Sequence, residues 1–175
     1  KPDAYNYGSS GNGTILHLAA AMFVEQAGVK VTHVPYKGVG PLLNDLIGEH
    51  VDMAVLAYGS IASHLQSGAL RAIGVGAAKR IAAAPEIPTV AEQGMPNFVV
   101  EGWFAVIGPP RLPQADVARI HAAFTTAFNS TEVKEAMARQ ATTVDIASPD
   151  RSVEYMKAEL DKYAAIANKI GLEPQ

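Results

Sequence analysis

From Tyr5 to about Phe98, short β-branched runs alternate with segments of helical period, and this order restricts the fold more than any other feature of the chain. Strands separated by helices cannot pair as hairpins. They line up in parallel, joined by right-handed crossovers, in an α/β fold with both sheet faces covered. Tyr5-Asn6-Tyr7 is the first predicted strand, and the small-residue loop Gly8 to Thr14 comes after it. A helix is next, with Ile15, Leu18, Ala19, Met22 and Phe23 at three- and four-residue spacing and Gly28 as its stop. Residues 29–34 read as a second strand; a turn at 35–40 then places Pro41 at the first position of a short helix ending at Gly48. The nearly continuous apolar run 51–57 is expected to be a buried parallel strand. Residues 60–67 are predicted as helix and 70–75 as strand, and Thr89-Val90-Ala91-Glu92 fits a capping box ahead of Gly94.

Beyond about residue 98 the character changes. Residues 99–107, with the only Trp at Trp103, read as a long strand, and Pro109, Pro110 and Pro113 punctuate the chain after it. Two helices are predicted near 114–128 and 131–140, and a short strand at 142–145. Ser148-Pro149 then opens a final helix whose Val153, Met156, Leu160, Tyr163, Ala167 and Ile170 form one apolar stripe. Two lobes are expected, 1–98 and 99–175.

Composition narrows the function. A hydrophobic share of 49% and a charged share of 18% suit a folded domain. The formal net charge of −3 offers no excess of Lys and Arg for nucleic acid or an anionic membrane. With no cysteine there is no disulfide, thiolate nucleophile or cysteine metal cluster. The best apolar run, 15–24, is interrupted by His17 and too short to span a bilayer, so the chain is not expected to insert in one. No signal-peptide pattern is read at the start, but the opening Lys1-Pro2-Asp3 leads so directly into a strand that it could belong to an excised piece, so this carries little weight.

The loop Gly8-Ser9-Ser10-Gly11-Asn12-Gly13-Thr14 is the segment richest in chemistry. Glycine permits positive φ and close backbone approach, and the first turn of the adjoining helix carries unsatisfied N–H groups at the positive end of its dipole. Ser9, Ser10, Asn12 and Thr14 add polar groups without charge. Two readings are open: an anion cradle, or a turn whose hydroxyl only caps the helix. Glycine density beyond what a cap needs favours the cradle. Thr14 stands where a P-loop requires Lys, and the Gly8-x-x-Gly11-x-Gly13 gaps are out of order for a dinucleotide fingerprint. A planar carboxylate suits such a loop better than a phosphate. The five histidines, His17, His33, His50, His64 and His121, share no metal-ligand spacing, although His17 lies one turn into the cradle helix and could face a ligand. Neither a nucleophile elbow nor any bound cofactor is indicated.

These residues resemble the tripartite tricarboxylate transporter substrate-binding family, also called Bug proteins. The likeness begins at Tyr7 to Thr14 with His17-Leu18-Ala19 and continues through Thr32 to Gly38 with Asp45-Leu46 and Gly48. It extends over Gly68-x-Leu70-Arg71-Ala72, Ala78-Lys79-Arg80, Pro88 to Glu92 with Gly94, and Trp103-Phe104, so it covers essentially the whole chain. The resemblance implies a type II periplasmic-binding-protein fold, with 1–98 as a complete lobe two and 99–175 returning to complete part of lobe one. The leading segment of lobe one is expected to be missing. It also implies a periplasmic, non-catalytic protein that captures a small carboxylate by cleft closure and delivers it to membrane permease subunits. The implied ligand residues are Ser9, Ser10, Gly11, Asn12, Gly13, Thr14 and His17, the turn Tyr36, Lys37 and Gly38, and Tyr58. Leu56-Ala57-Tyr58 stands where many relatives place an acidic or amide residue, which points to a less polar or aromatic carboxylate. An enzyme binding a phosphorylated or acyl substrate through the glycine loop, or a ligand-sensing domain, are the alternatives.

Overall fold

A computed structural model describes residues 4–172; Lys1-Pro2-Asp3 and Glu173-Pro174-Gln175 lie outside the described residues. Three strands, β1 (Asn6–Ser9), β2 (Thr32–Pro35) and β3 (Met53–Ala54), form a parallel sheet in the order β2-β1-β3. The connecting helices are α1 (Ile15–Gln26) and α2 (Val39–Ile47), and α3 (Tyr58–Gln66) comes after β3. The register pairs Tyr7 with His33 and Met53, and Gly8 with Val34 and Ala54.

Side chains alternate across β1, so the two helices cover opposite faces. Tyr7 and Ser9 meet His17 of α1 and His33 of β2. Gly8 faces the other way, toward Leu42 of α2 and Val51. Close packing there is possible because residue 8 has no side chain, and Leu42 and Val51 are fully buried. On the first face α1 buries six consecutive residues, His17 to Met22, as a central helix must. Its far side joins a core of Leu18, Met22, Phe98 and Ile166, with the Phe23 and Phe98 rings edge-on at 5.8 Å.

Several expected strands are shorter or absent. β3 holds two residues instead of the run 51–57, because Asn6 and Asp52 exchange side-chain bonds where ladder bonds would begin. Asn6 N donates to Asp52 Oδ2 at 2.7 Å, and Asp52 N donates to Asn6 Oδ1 at 3.1 Å. Of 70–75 only Val75 is bridged, in parallel to Thr89. Segments 99–107 and 142–145 form no strand; the first makes a single backbone bond to a neighbouring segment, Val100 N donating to Gly76 O at 2.7 Å, and no ladder extends from it. Within 99–107, Phe104 is 99% exposed. α2 begins at Val39, so Pro41 is its third residue; proline is tolerated there because the first-turn amides lack intrahelical acceptors anyway. α3 begins at Tyr58 rather than Ser60. The Thr89–Glu92 capping box forms reciprocally, with Glu92 N donating to Thr89 Oγ1 at 3.0 Å and Thr89 N to Glu92 Oε2 at 2.6 Å.

The backbone divides into two compact units, residues 1–102 with 163–175, and residues 103–162. The second holds α4 (Gln114–Phe128), α5 (Thr131–Arg139) and most of α6 (Pro149–Lys169). α5 starts on a side-chain cap, Ser130 Oγ accepting from Val133 N. In this unit the Trp103 indole stands edge-on to Tyr155 at 6.0 Å and donates to the buried Glu159 at 3.3 Å. The stripe expected on α6 is displaced: Val153 and Leu160 are exposed, whereas Glu159 and Ile166 are buried. Partners at Trp103 and Phe98 select that face over the more regular apolar spacing.

Candidate functional site

The loops that leave the carboxyl ends of β1 and β2 meet in one place. Tyr36 N donates to Ser9 O at 2.9 Å, and Gly38 N donates to Ser10 O at 3.0 Å. Ser9 to Thr14 and Tyr36 to Gly38 are therefore one structural unit. The sheet order also reverses here, since β1 connects to β2 on one side and the chain then crosses back to β3 on the other. In open α/β sheets such a reversal opens a crevice at the carboxyl edge, where ligands bind.

Inside the loop, the backbone shape depends on Gly11 and Gly13, with φ of 141° and 73°. Thr14 is the N-cap of α1; its Oγ1 accepts from His17 N at 3.2 Å and donates to Gly11 O at 2.9 Å. Ser10 Oγ donates to Thr14 Oγ1 at 3.2 Å. Ser9 is completely buried, with its hydroxyl bonded to His33 Nε2 at 2.7 Å and to the Gly11 backbone. The three hydroxyls expected to face a ligand therefore bind the loop to itself.

The amides are divided. Gly11, Gly13, Thr14 and His17 donate to Ser9 Oγ, His17 Nδ1, Gly11 O and Thr14 Oγ1 respectively. Among the described residues, those of Ser10, Asn12, Ile15 and Leu16 have no protein acceptor. Asn12, Gly13 and Ile15 are exposed. The Asn12, Ile15 and Leu16 donors thus lie unpaired at the positive end of α1, beside a side-chain amide and with no acidic residue in the first turn. The start of α2, at Gly38 with φ 105°, and that of α3, at Ala57, carry no side-chain cap.

The remaining predicted residues spread around this centre. Tyr36 is half-buried; its hydroxyl donates to Asp45 Oδ2 at 2.7 Å, and burial, then that carboxylate, raise its pKa. Lys37 is exposed on the turn. Tyr58, at the head of α3, donates to Ala83 O at 3.3 Å and makes no hydrogen bond to the glycine loop. His17 lies beneath the loop, 5% exposed. Reading the sequence does not reveal its partnership with His33: the two rings stack at 4.0 Å and 8°, and Tyr7 lies 4.8 Å beyond His33. Burial pushes His17 below its usual pKa; burial and then the charge of His17 push His33 down to about 4. A signal exists, since alternation on paired strands puts residues 7 and 33 on one face, but using it requires the register.

A doubly wound parallel sheet with a glycine-rich loop opening α1, together with its similarity to solved periplasmic binding proteins, gives the chain a type II periplasmic-binding-protein fold. The structure of Rhodopseudomonas palustris Rpa4515 with adipate is similar over 100% of this chain and 58% of its own, at TM-score 0.86 and 27% identity. The periplasmic binding protein BugD is similar over 100% of this chain and 59% of its own, at TM-score 0.79 and 26% identity. Protein BugT of Bordetella pertussis is 30% identical over 98% of this chain and 52% of that protein. The family model described as tripartite tricarboxylate transporter family receptor matches residues 1–172, and the chain belongs to that family. It spans about half the length of the curated relatives it matches.

Proposed function

We propose that this chain is part of a periplasmic solute-binding protein that captures a small organic carboxylate for a tripartite tricarboxylate-type transporter and catalyses no reaction. The observation that carries this reading is the set of Asn12, Ile15 and Leu16 amides left without protein acceptors at the start of α1. A carboxylate oxygen completes such donors in a way that water does less well. Rpa4515, solved with adipate, is similar in fold to this chain.

In this proposal the Asn12, Ile15 and Leu16 amides supply backbone contacts, Gly11 and Gly13 shape the loop and let a ligand approach its backbone, and Ser9, Ser10, Thr14 and His17 hold it. Tyr36, Lys37 and Gly38 form a second wall, and Tyr58 with Leu56 and Ala57 lines a less polar side, so the preferred acid carries an apolar or aromatic body. Residues 1–98 act as lobe two and 99–175 as the returning part of lobe one. Hinge closure buries the ligand and the closed form docks on permease subunits.

Magnitudes set the expected affinity. Two or three charge-assisted hydrogen bonds at about 1.5–3 kcal/mol each work against an association cost of at least ~4 kcal/mol. The present chain alone should bind in the millimolar range. Thermal-shift and calorimetric screening of mono-, di- and tricarboxylates is the test. A saturable upward shift with no chemical change in the ligand supports the proposal, and Gly13→Ala should abolish it because φ 73° disfavours a Cβ. Turnover of any screened acid, or a shift undiminished in Gly13→Ala, would overturn it.

A further inference from the structure

Beneath the ligand loop, three rings from three elements form one stack: Tyr7 of β1, His33 of β2 and His17 of α1. Both imidazoles are tied to the loop. Gly13 N donates to His17 Nδ1 at 3.1 Å, and His33 Nε2 meets Ser9 Oγ at 2.7 Å.

Donor counting fixes the tautomer of His17. A backbone N–H can only donate, so His17 Nδ1 must carry a lone pair and the ring is the neutral Nε2–H tautomer. The Ser9 hydroxyl accepts from Gly11 N and has one proton, which serves either Gly11 O at 3.3 Å or His33 Nε2 at 2.7 Å, so the count fixes the tautomer of His17 and leaves that of His33 open. Every polar atom in this chain of contacts is satisfied only with His17 uncharged. A proton on Nδ1 would face the Gly13 N–H donor to donor, and would sit on a ring whose centre is 4.0 Å from that of a second imidazole.

Few neighbours could compensate such a charge. The titratable groups facing the stack are Tyr7 from β1, His33 from β2 and His17 from α1. On the α2 face, Asp45 is engaged by Tyr36 Oη. Among the described residues no carboxylate hydrogen-bonds to either imidazole.

We infer that His17 is a positioning residue for the ligand loop, backed by the stacked His33: its unprotonated Nδ1 holds Gly13 so that the Asn12, Ile15 and Leu16 amides stay free of protein acceptors, and a proton on that nitrogen releases the loop. The inference rests on the carboxylate reading of the loop for its biological meaning, but its test uses no ligand, so failure of either one leaves the other measurable.

The test is NMR on the whole chain, with histidine ring nitrogens assigned and Gly13 amide protection followed from neutral to acidic pH. The expected wild-type result is an Nε2–H tautomer for His17 and a roughly tenfold loss of Gly13 protection as that ring titrates, the size of one lost hydrogen bond. His17→Asn places a non-titrating oxygen near the Nδ1 position and should keep Gly13 protected at every pH. His17→Phe keeps the stack without the acceptor and should lose the protection throughout. An Nδ1–H tautomer, protection unchanged as His17 titrates, or protection unchanged in His17→Phe would overturn the inference. Should His17→Phe fail to fold, the wild-type tautomer and titration decide the matter.

Discussion

Gly8→Ala places a single methyl group where the two faces of the sheet are hardest to separate. A Cβ built on residue 8 falls well inside van der Waals distance of Leu42 Cδ1, and lies 3.3 Å from Tyr36 Cε2 and from Val51 Cγ1. Leu42 is 0% exposed and Val51 2%, so neither can swing into solvent. Overpacking of this kind costs typically about 1–3 kcal/mol. Loss of glycine's freedom in the unfolded chain returns about 0.4–1 kcal/mol. The net expectation is a destabilisation of roughly 1–2 kcal/mol, which for a chain of this size lowers Tm by about 2–8 °C. Calorimetry or urea denaturation measures it. Two further variants isolate the cause. Leu42→Val removes the crowding methyl at a cost of about 1 kcal/mol, and the Gly8→Ala penalty should shrink in that background, since contacting residues couple by about 0.5–3 kcal/mol. Gly40→Ala makes the same chemical change in the first turn of α2, where no atom beyond the chain neighbours lies within 4 Å of the new Cβ; whatever it costs comes from the Pro41 ring that follows and should be independent of Leu42→Val. A Gly8→Ala protein as stable as wild type, or a penalty unchanged beside Leu42→Val, would refute the packing argument.

The His33 ring gives a pH dependence of definite sign. As pH falls below about 6.5 the unfolded ring takes a proton while the folded one resists to about 4, so stability present above that window is lost within it. Allowing for partial solvent access, the loss is roughly 1–2 kcal/mol, read as the difference between wild type and His33→Gln in urea titrations; parallel pH profiles for the two would contradict it. Thr89→Ala removes the hydroxyl that accepts from Glu92 N and should cost about 1 kcal/mol, measurable as a lowered urea midpoint, whereas an unchanged midpoint would show the cap to be idle. Gly28→Ala, at φ 64° after α1, meets no atom within 4 Å, so its cost of about 1–2 kcal/mol should come from backbone conformation alone and be independent of Leu42→Val; coupling between the two would show a packing contribution instead.

How far the fold is legible in the sequence depends on the range of the forces involved. The predicted bounds of α1, α2, α4 and α5 agree with the structure to within a few residues because their signals are local: Thr14 and Ser130 cap through their own side chains, Pro113 precedes α4, and Gly28 and Gly48 close α1 and α2. The Thr89–Glu92 box is legible for the same reason. Strands are not local. The run 51–57 has the composition of a buried strand, yet only Met53 and Ala54 pair, with Asp52 claimed by Asn6 at the near end. The run 99–107 has the composition, but its backbone meets a neighbour only where Val100 N donates to Gly76 O. On α6 the periodic stripe exists in the sequence, but Glu159 and Ile166 are selected for burial by what Trp103 and Phe98 present to them.

The glycine loop shows the same limit at the site itself. Its position, its conformation and its place ahead of α1 can all be read from Gly8 to Thr14, because positive φ and helix capping are properties of a few neighbouring residues. Which of its donors remain outward cannot. Ser9, Ser10 and Thr14 look identical on paper to ligand contacts, but Ser9 is taken by His33, twenty-four positions away, and Gly13 by His17. Four amides are thereby engaged in holding the shape, and those of Ser10, Asn12, Ile15 and Leu16 are left over. A loop with all its donors open would have no reason to keep one conformation, and a loop with none open would bind nothing. Selectivity for an anion therefore depends as much on the buried histidines that take up the inner donors as on the outer donors themselves, which is why substitutions at His17 and His33 should change binding without either ring touching a ligand.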